Sequence, residues 1–294
     1  MLDALLGKAD SATDFVINTL RLPRLLTGLS VGAALGLSGA ILQSLSRNLL
    51  ASPDIIGFTN GAGTGAIMVV VLVHGSMTQI SAGAVLGGVL TSLAVYLLAF
   101  RRGVAGYRLI LVGIGISAIM LSINSYLITR ASFADAITAQ IWLIGGLNGR
   151  TWSQAVPVLI TLAVLLPLAL LAQRRLTMLD MGDDAVAALG VNVEHTRLEL
   201  LLISVGLAAT ATAMAGPIAF VALAAPQLAR RLTRTTGPGL LPAGLMGALL
   251  LSASDLAVQR LFAPTLLPVG IATGALGGLY LMWLLGHEWR RGRL

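Results

Sequence analysis

The 294-residue chain contains no cysteine, which removes disulfides, thiolate nucleophiles and cysteine-based metal sites together. Charge is scarce as well. Only 11% of the residues are charged, where a soluble domain carries roughly 25%. Lysine is nearly absent: Lys8 stands alone among 19 cationic residues, and the rest are arginines. A phosphate-cradling G-x-x-x-x-G-K-[ST] loop needs a lysine to reach the phosphates and a hydroxyl to hold magnesium. Lys8 is followed by Ala9, and Leu2 occupies the first glycine position. The chain therefore has no nucleotide site of that kind, and any work drawn from ATP must come from a second polypeptide. His74, His195 and His287 are far apart and show no H-E-x-x-H spacing, so no metal and no cofactor is expected. The same dispersal of histidines argues against a serine hydrolase, whose nucleophile needs a histidine and a carboxylate in reach. The first 24 residues, with Asp3, Lys8, Asp10 and Asp14, hold no apolar run that would serve as a cleavable signal.

What the chain has is apolar length, with 56% hydrophobic residues. A hydrocarbon core of about 30 Å takes about 20 apolar residues to cross as a helix. On that measure the sequence predicts an all-α, polytopic transmembrane bundle of about nine spans. They lie near 25–45, 57–74, 80–100, 108–128, 154–173, 198–215, 217–229, 240–260 and 267–286. Residues 1–294 form one permeable-barrier domain, with 1–24 as an external segment and 174–197 as a cytoplasmic loop. The seventh span is too short to cross unaided and follows Gly216-Pro217, where proline removes a backbone donor and breaks the helix. A broken helix in lipid has to be buried in protein or line a cavity. Glycines at four-residue spacing, Gly28, Gly32 and Gly36, then Gly83 and Gly87, then Gly270, Gly274 and Gly278, predict flat faces for close helix packing.

A net charge of +7 would point to nucleic acid in a soluble protein with one basic face. Here the arginines lie between spans, so they report orientation instead. With the C-terminus inside, Arg47, Arg101, Arg102, Arg108, Arg174, Arg175, Arg197, Arg230, Arg231, Arg234, Arg290, Arg291 and Arg293 are cytoplasmic. Lys8, Arg21, Arg24, Arg130, Arg150 and Arg260 lie outside. An odd number of spans then leaves the N-terminus outside. Exporting this polar N-terminus without a preceding helix is unusual, so a missing first span is expected.

Three features could carry function. Asp255 is the one carboxylate placed in the interior of a span, and such a group faces a cavity or a partner. It either binds a proton or cation, or serves structure. The stretch LTMLDMGDDAVAALGVNVEHTR, Leu176 to Arg197, contains Asp183, Asp184 and a run of alanines before Gly190. It reads as a short helix with an acidic start and a glycine stop, either a solvated connector or a docking helix. Arg21, Arg24 and Arg260 lie outside against the orientational bias, and arginine pairs well with carboxylates. An acidic extracytoplasmic partner and lipid phosphates fit them equally.

RLPRLLTGLSVGAALGLSGAILQSLSRNLLASPDIIGFTNGAG, from Arg21 to Gly63, resembles the opening signature of permease subunits of the iron-siderophore and cobalamin ABC importer family. MGDDAVAALGV from Met181, GPIAFVALAAPQLARRL from Gly216 and LPVGIATGALGGLYLMWLL from Leu267 agree with it, so the resemblance covers nearly the whole chain. SPDIIGF, GLNGRTW and FAPTLLPVG look most like permeases for ferric catecholate siderophores of the enterobactin type. Leu49, Gln227 and Leu267 depart from the family pattern, which usually has proline, histidine and glutamate there.

The resemblance implies a type II ABC importer permease fold of ten spans, of which this chain would hold spans two to ten, in a bacterial inner membrane. It implies a second permease, paralogue or copy, two ATPase subunits, a substrate-binding protein and no catalytic residue in this chain. Carried over, Asp183, Asp184, Ala185, Ala187, Leu189 and Gly190 would form the helix that seats in the ATPase. Arg21, Arg24 and Arg260 would dock the binding protein, and Ser117, Met120, Asn124 and Thr273 would line the pathway. The expected function is import of a ferric siderophore by alternating access. The alternatives are a cobalamin or haem importer of the same family, a proton-coupled carrier using Asp255, and a structural subunit of a larger membrane complex.

Overall fold

The computed structural model describes residues 11–54, 57–99, 106–234 and 237–290. Lys8, Arg101, Arg102, Arg291 and Arg293 lie outside them. The described residues form helices: α1 (Leu22–Ser46), α2 (Phe58–Met68, continued as a π-wound turn over Val69–Val73), α3 (Met77–Ala99), α4 (Gly106–Arg130), α5 (Phe133–Ile144), α6 (Trp152–Leu179), α7 (Asp183–Ala188), α8 (Val193–Ala215), α9 (Val221–Thr233), α10 (Leu240–Leu261) and α11 (Val269–Arg290). Six helical stretches among the described residues are long and apolar enough to cross a membrane, and Phe58–Val73, Phe133–Ile144 and Val269–Tyr280 are shorter apolar ones.

The first span starts earlier than its hydropathy predicts. Ser11–Asp14 is already helical, and a π-wound stretch over Phe15–Arg21 runs directly into α1. Pro23 does not stop it, although it lies within this continuous helix: the turns just before it are π-wound. The extension is held from the side: Ile17 is buried, and the Trp152 indole N–H donates to the carbonyl of Asn18 at 3.0 Å. Residues 11–21 are therefore a helical lead-in rather than an external loop.

α1 is buried over most of its length, and glycine makes that possible. A Cβ at Gly32 would collide with the carbonyl of Gly247, one at Gly36 with the carbonyl of Ala243, and one at Gly39 with the carbonyl of Ala222. The backbones of α1, α10 and α9 thus touch directly. α2 and α3 cross in the same manner, Gly65 against Gly83 and Gly61 against Gly87. Lipid is as apolar as leucine, so helices in a membrane gain from close van der Waals contact and interhelical hydrogen bonds rather than from leaving water. A hydroxyl pair supplies one such bond, Ser38 to Ser204 at 2.8 Å, between α1 and α8.

The third glycine series behaves differently. Gly270 packs on the carbonyl of Ile144, but among the described residues nothing approaches Gly274 or Gly278, and the close contact on α11 is made by Gly277 against the Phe220 ring. That face of α11 is open in the single chain.

The break at Gly216-Pro217 is present. α8 ends at Ala215, Gly216 and Phe220 take positive φ values of 77° and 67°, and α9 restarts at Val221. Gly216 presses on the carbonyl of Trp142 in α5. The interruption is thus enclosed by protein, as a lipid surroundings requires.

The start of α1 and the last turns of α10 are joined by charge. Arg24 Nη2 lies 2.7 Å from Asp255 Oδ1 and Nε lies 2.9 Å from Oδ2, while Gln259 donates to Oδ2 at 2.7 Å. The side chains are only 18% and 10% exposed.

Two substitutions test this packing. Gly39→Leu should prevent α1 and α9 from seating, and the protein should be recovered aggregated or degraded; a normal monodisperse profile in detergent would show that the crossing tolerates bulk. Asp255→Ala should cost about 3–5 kcal/mol, because it strands a desolvated guanidinium, whereas Arg24→Leu with Asp255→Leu should cost much less. Thermal unfolding of the two variants gives the comparison.

Candidate functional site

The end of the bundle expected to face the cytoplasm is built around α7. Two glycines bound it, Gly182 at φ 106° and Gly190 at φ 79°, values that side-chain-bearing residues rarely adopt. Gly190 ends the helix, with the Val191 N–H returning to the carbonyl of Val186 at 3.3 Å, the pattern of a glycine-terminated helix. Val186 is fully buried and pins the helix to the bundle, while Ala187, Leu189 and Gly190 are exposed. Asp184 and Ala185 belong to the same helix, but their side chains lie outside what is described.

Asp183 opens α7 and gathers two arginines. Arg197 Nη2 reaches both its oxygens, at 2.8 and 2.9 Å. Arg47 Nη2 reaches Oδ1 at 2.9 Å and also donates to the carbonyl of Leu179 at 2.6 Å. Beside them Ser44 donates to Asp180 at 2.9 Å. Next to this cluster opens a cavity of about 310 Å³ lined by Gln43, Ser44, Arg47, Asp180 and Arg230 among others. His195 plays a local part here: its backbone N–H is accepted by the Asn192 side chain at 3.0 Å, which caps α8.

At the opposite end of the bundle, expected to face outside, Arg21 and Arg260 are exposed. Arg24, expected to stand with them, is committed to Asp255 within the chain. Arg24 also borders an outer cavity of about 150 Å³ that includes Asn148, Gln259 and residues 263–267.

Ser117, Met120 and Asn124 lie on the side of α4 that faces α2. Ser117 Oγ is close to where a Cβ of Gly57 would sit. The Met120 carbonyl is 3.5 Å from the Thr64 hydroxyl, and the Asn124 amide is 3.5 Å from the Asn60 carbonyl. Asn124 is only 2% exposed, and its Oδ1, like Ser117 Oγ, is buried without a hydrogen-bond partner among the described residues. Thr273 is also buried, donating to the Gly270 carbonyl at 3.1 Å. The opposite face of α4 carries Gly115, Ala118, Ser122, Ser125 and Thr129, all exposed. The four residues expected to line a pathway are thus not gathered around one opening within the single chain.

Sequence reasoning missed several contributors. α5, with its Ser132 cap accepting from the Asp135 N–H at 3.2 Å, is too short to register as a span, yet it closes over the break before α9. Asp54, in the SPDIIGF stretch, accepts from Thr59 at 2.6 Å and from the Phe220 backbone, so it ties the α1–α2 connection to the start of α9. A carboxylate between proline and an apolar pair was the available signal. Two of the three departures from the family pattern meet each other: the Gln227 amide donates to the Leu49 carbonyl at 2.8 Å.

Comparison with known proteins gives a consistent result. The chain is 49% identical over 288 residues to the ferric enterobactin transport system permease protein FepG of Escherichia coli K12, covering 98% of this chain and 87% of that one. It is 37% identical to the Fe(3+) dicitrate transport system permease protein FecD of the same organism, covering 92% and 85%. It is 36% identical to the hemin transport system permease protein HmuU of Yersinia pestis, covering 90% and 81%. Among solved structures, an inward-facing metal-chelate type ABC transporter superposes with a TM-score of 0.84 at 30% identity, covering 95% of this chain and 89% of that one. PsaBC of Streptococcus pneumoniae shares the fold at a TM-score of 0.64 and 15% identity, covering 92% of each chain. With its pattern matched from residue 1 to 287, the chain belongs to the FecCD transport family of multi-pass membrane permeases.

Proposed function

We propose that this chain is a permease subunit of an ATP-driven importer that carries a ferric siderophore of the catecholate type across the bacterial inner membrane by alternating access. The observation that carries the reading is α7. It is a short helix fixed between two left-handed glycines, anchored by one buried valine and turned outward, on a chain with no nucleotide site of its own. Asp183, Asp184, Ala185, Ala187, Leu189 and Gly190 seat in a separate ATPase subunit, and two such subunits power the importer. The catecholate assignment is supported by the 49% identity to the ferric enterobactin permease, against 37% and 36% to the dicitrate and hemin permeases. Alternating access is supported by the resemblance to an inward-facing transporter.

A second permease, paralogue or copy, packs against this one, and the open faces of α4 and α11 around Gly115, Gly274 and Gly278 suit that role. The pathway forms between the two, with Ser117, Met120, Asn124 and Thr273 reaching it as α4 and α11 rotate. A large chelate needs a wide wall that binds weakly, because tight ligation of iron would prevent release. A substrate-binding protein docks outside on Arg21 and Arg260, while Arg24 holds the bundle together beneath them. A proton carrier working through Asp255 has against it that this carboxylate is already paired with Arg24 and Gln259.

In proteoliposomes holding the complete importer, uptake of ferric enterobactin should require ATP, continue in the presence of an uncoupler, and exceed uptake of ferric dicitrate or hemin. Uptake that follows the proton gradient instead would sink the importer reading, and a preference for hemin would sink the catecholate one. Replacing Arg21 and Arg260 together by glutamate should weaken binding-protein association roughly tenfold at low salt, and less at high salt. Affinity indifferent to both changes would assign those arginines to the lipid surface.

A further inference from the structure

We infer that Arg47 is the positioning residue that makes α1 move with α7, so that a displacement of the ATPase-seated helix reaches the buried centre of the permease. This rests on the reading of α7 as the ATPase-seated helix. The geometry is that of a joint. Arg47 ends α1 in a left-handed conformation, with φ 50°. From there a single guanidinium nitrogen spans two elements, meeting the last carbonyl of α6 at Leu179 and the first carboxylate of α7 at Asp183. Between those two contacts lies the connection 180–182, which ends in Gly182 at φ 106° and gives α7 its freedom to turn. Ser44, one turn before Arg47, holds Asp180 in the same connection. Any swing of α7 about Gly182 pulls on Asp183, and through Arg47 it pulls on the end of α1.

The counterpart on the other side is Arg197, whose Nη2 donates to both oxygens of Asp183 and which belongs to the first turns of α8. The pull is therefore shared between α1 and α8, which are themselves bonded through Ser38 and Ser204 deeper in the bundle. α1 then runs, in glycine contact with α9 and α10, to the Arg24–Asp255 pair at its far end. A helix of 25 residues with a rise of about 1.5 Å per residue crosses the whole hydrocarbon core. The cytoplasmic joint and the outer ion pair are thus two ends of one rod.

The Arg47 and Asp183 side chains are each 47% exposed. A pair so exposed adds little to folding stability, so its loss should leave the protein intact and show itself in coupling. The test uses the complete importer in proteoliposomes, with ATP hydrolysis and ferric siderophore uptake measured on the same sample. Arg47→Gln should keep the ATPase subunits bound and hydrolysing, while uptake per ATP falls about fivefold or more. Arg47→Lys, which keeps the charge but loses the planar fork, should fall between. Unchanged uptake per ATP in Arg47→Gln overturns the inference. Loss of the ATPase subunits from that variant overturns it too, since Arg47 would then belong to the docking surface. Ala187→Arg separates the two readings: it should detach the ATPase, and an ATPase that stays bound would refute the role of α7 itself, whatever Arg47 does.

Discussion

The direct contact of α1 with the backbones of α9 and α10 is the constraint from which the rest of this structure follows. Gly32, Gly36 and Gly39 each face a carbonyl that would be struck by a methyl group. With no hydrophobic gain from leaving lipid, this closeness is what holds the bundle together. It also makes α1 a poor candidate for bending in isolation: a shift of α1 displaces α9 and α10 with it. The position of α9 matters most, because it begins at a break whose polar backbone has to be enclosed, by α5 on one side and by Asp54 on another.

Much of this was legible in the sequence because it is local. Gly28, Gly32 and Gly36 announce a packing face by spacing alone, Gly216-Pro217 announces the break, and Asp183 to Gly190 announces a short helix. What was not legible depends on distance along the chain or on which side of a helix faces a neighbour. Gly270, Gly274 and Gly278 share the same spacing as the α1 series, yet two of them meet nothing; spacing shows that a face is flat, not that anything lies on it. Asp255 was visible as an embedded carboxylate, but its partner is 231 residues away. The lead-in over residues 11–21 was missed because its polar residues hide a helix that is held by Trp152 rather than by hydropathy. α5 was missed because 12 residues are too few to count as a span.

Ionisable groups mark the two ends of the bundle, and their environments differ in a way that fits different duties. The Arg24–Asp255 pair is sheltered, bidentate and further bonded by Gln259, an arrangement suited to holding two helices at one distance. Sequestering Arg24 leaves the docking proposal to arginines that are exposed, and Asp255 is met within the chain by Arg24 and Gln259. The exchange at Leu49 and Gln227 is of a similar kind. The Leu49 carbonyl, which a proline would offer equally, accepts from the Gln227 amide, so the two departures meet in one contact that depends on the side chain at 227 alone.

The cluster at α7 is open on one side. Asp183 and Arg47 are each 47% exposed, while Arg197, which reaches both Asp183 oxygens, is only 15% exposed. A joint made of buried apolar side chains would resist rotation, because close-packed surfaces interlock and repack only in discrete steps. A carboxylate held by two guanidinium groups can pivot, trading one oxygen for the other while keeping its charge compensated, at small cost in water. α7 has one side chain locked in the core, Val186, and one such charged pivot at its start. That combination constrains translation while leaving rotation free, which is what a short helix must have if it is to pass on a push without being torn from the protein it belongs to.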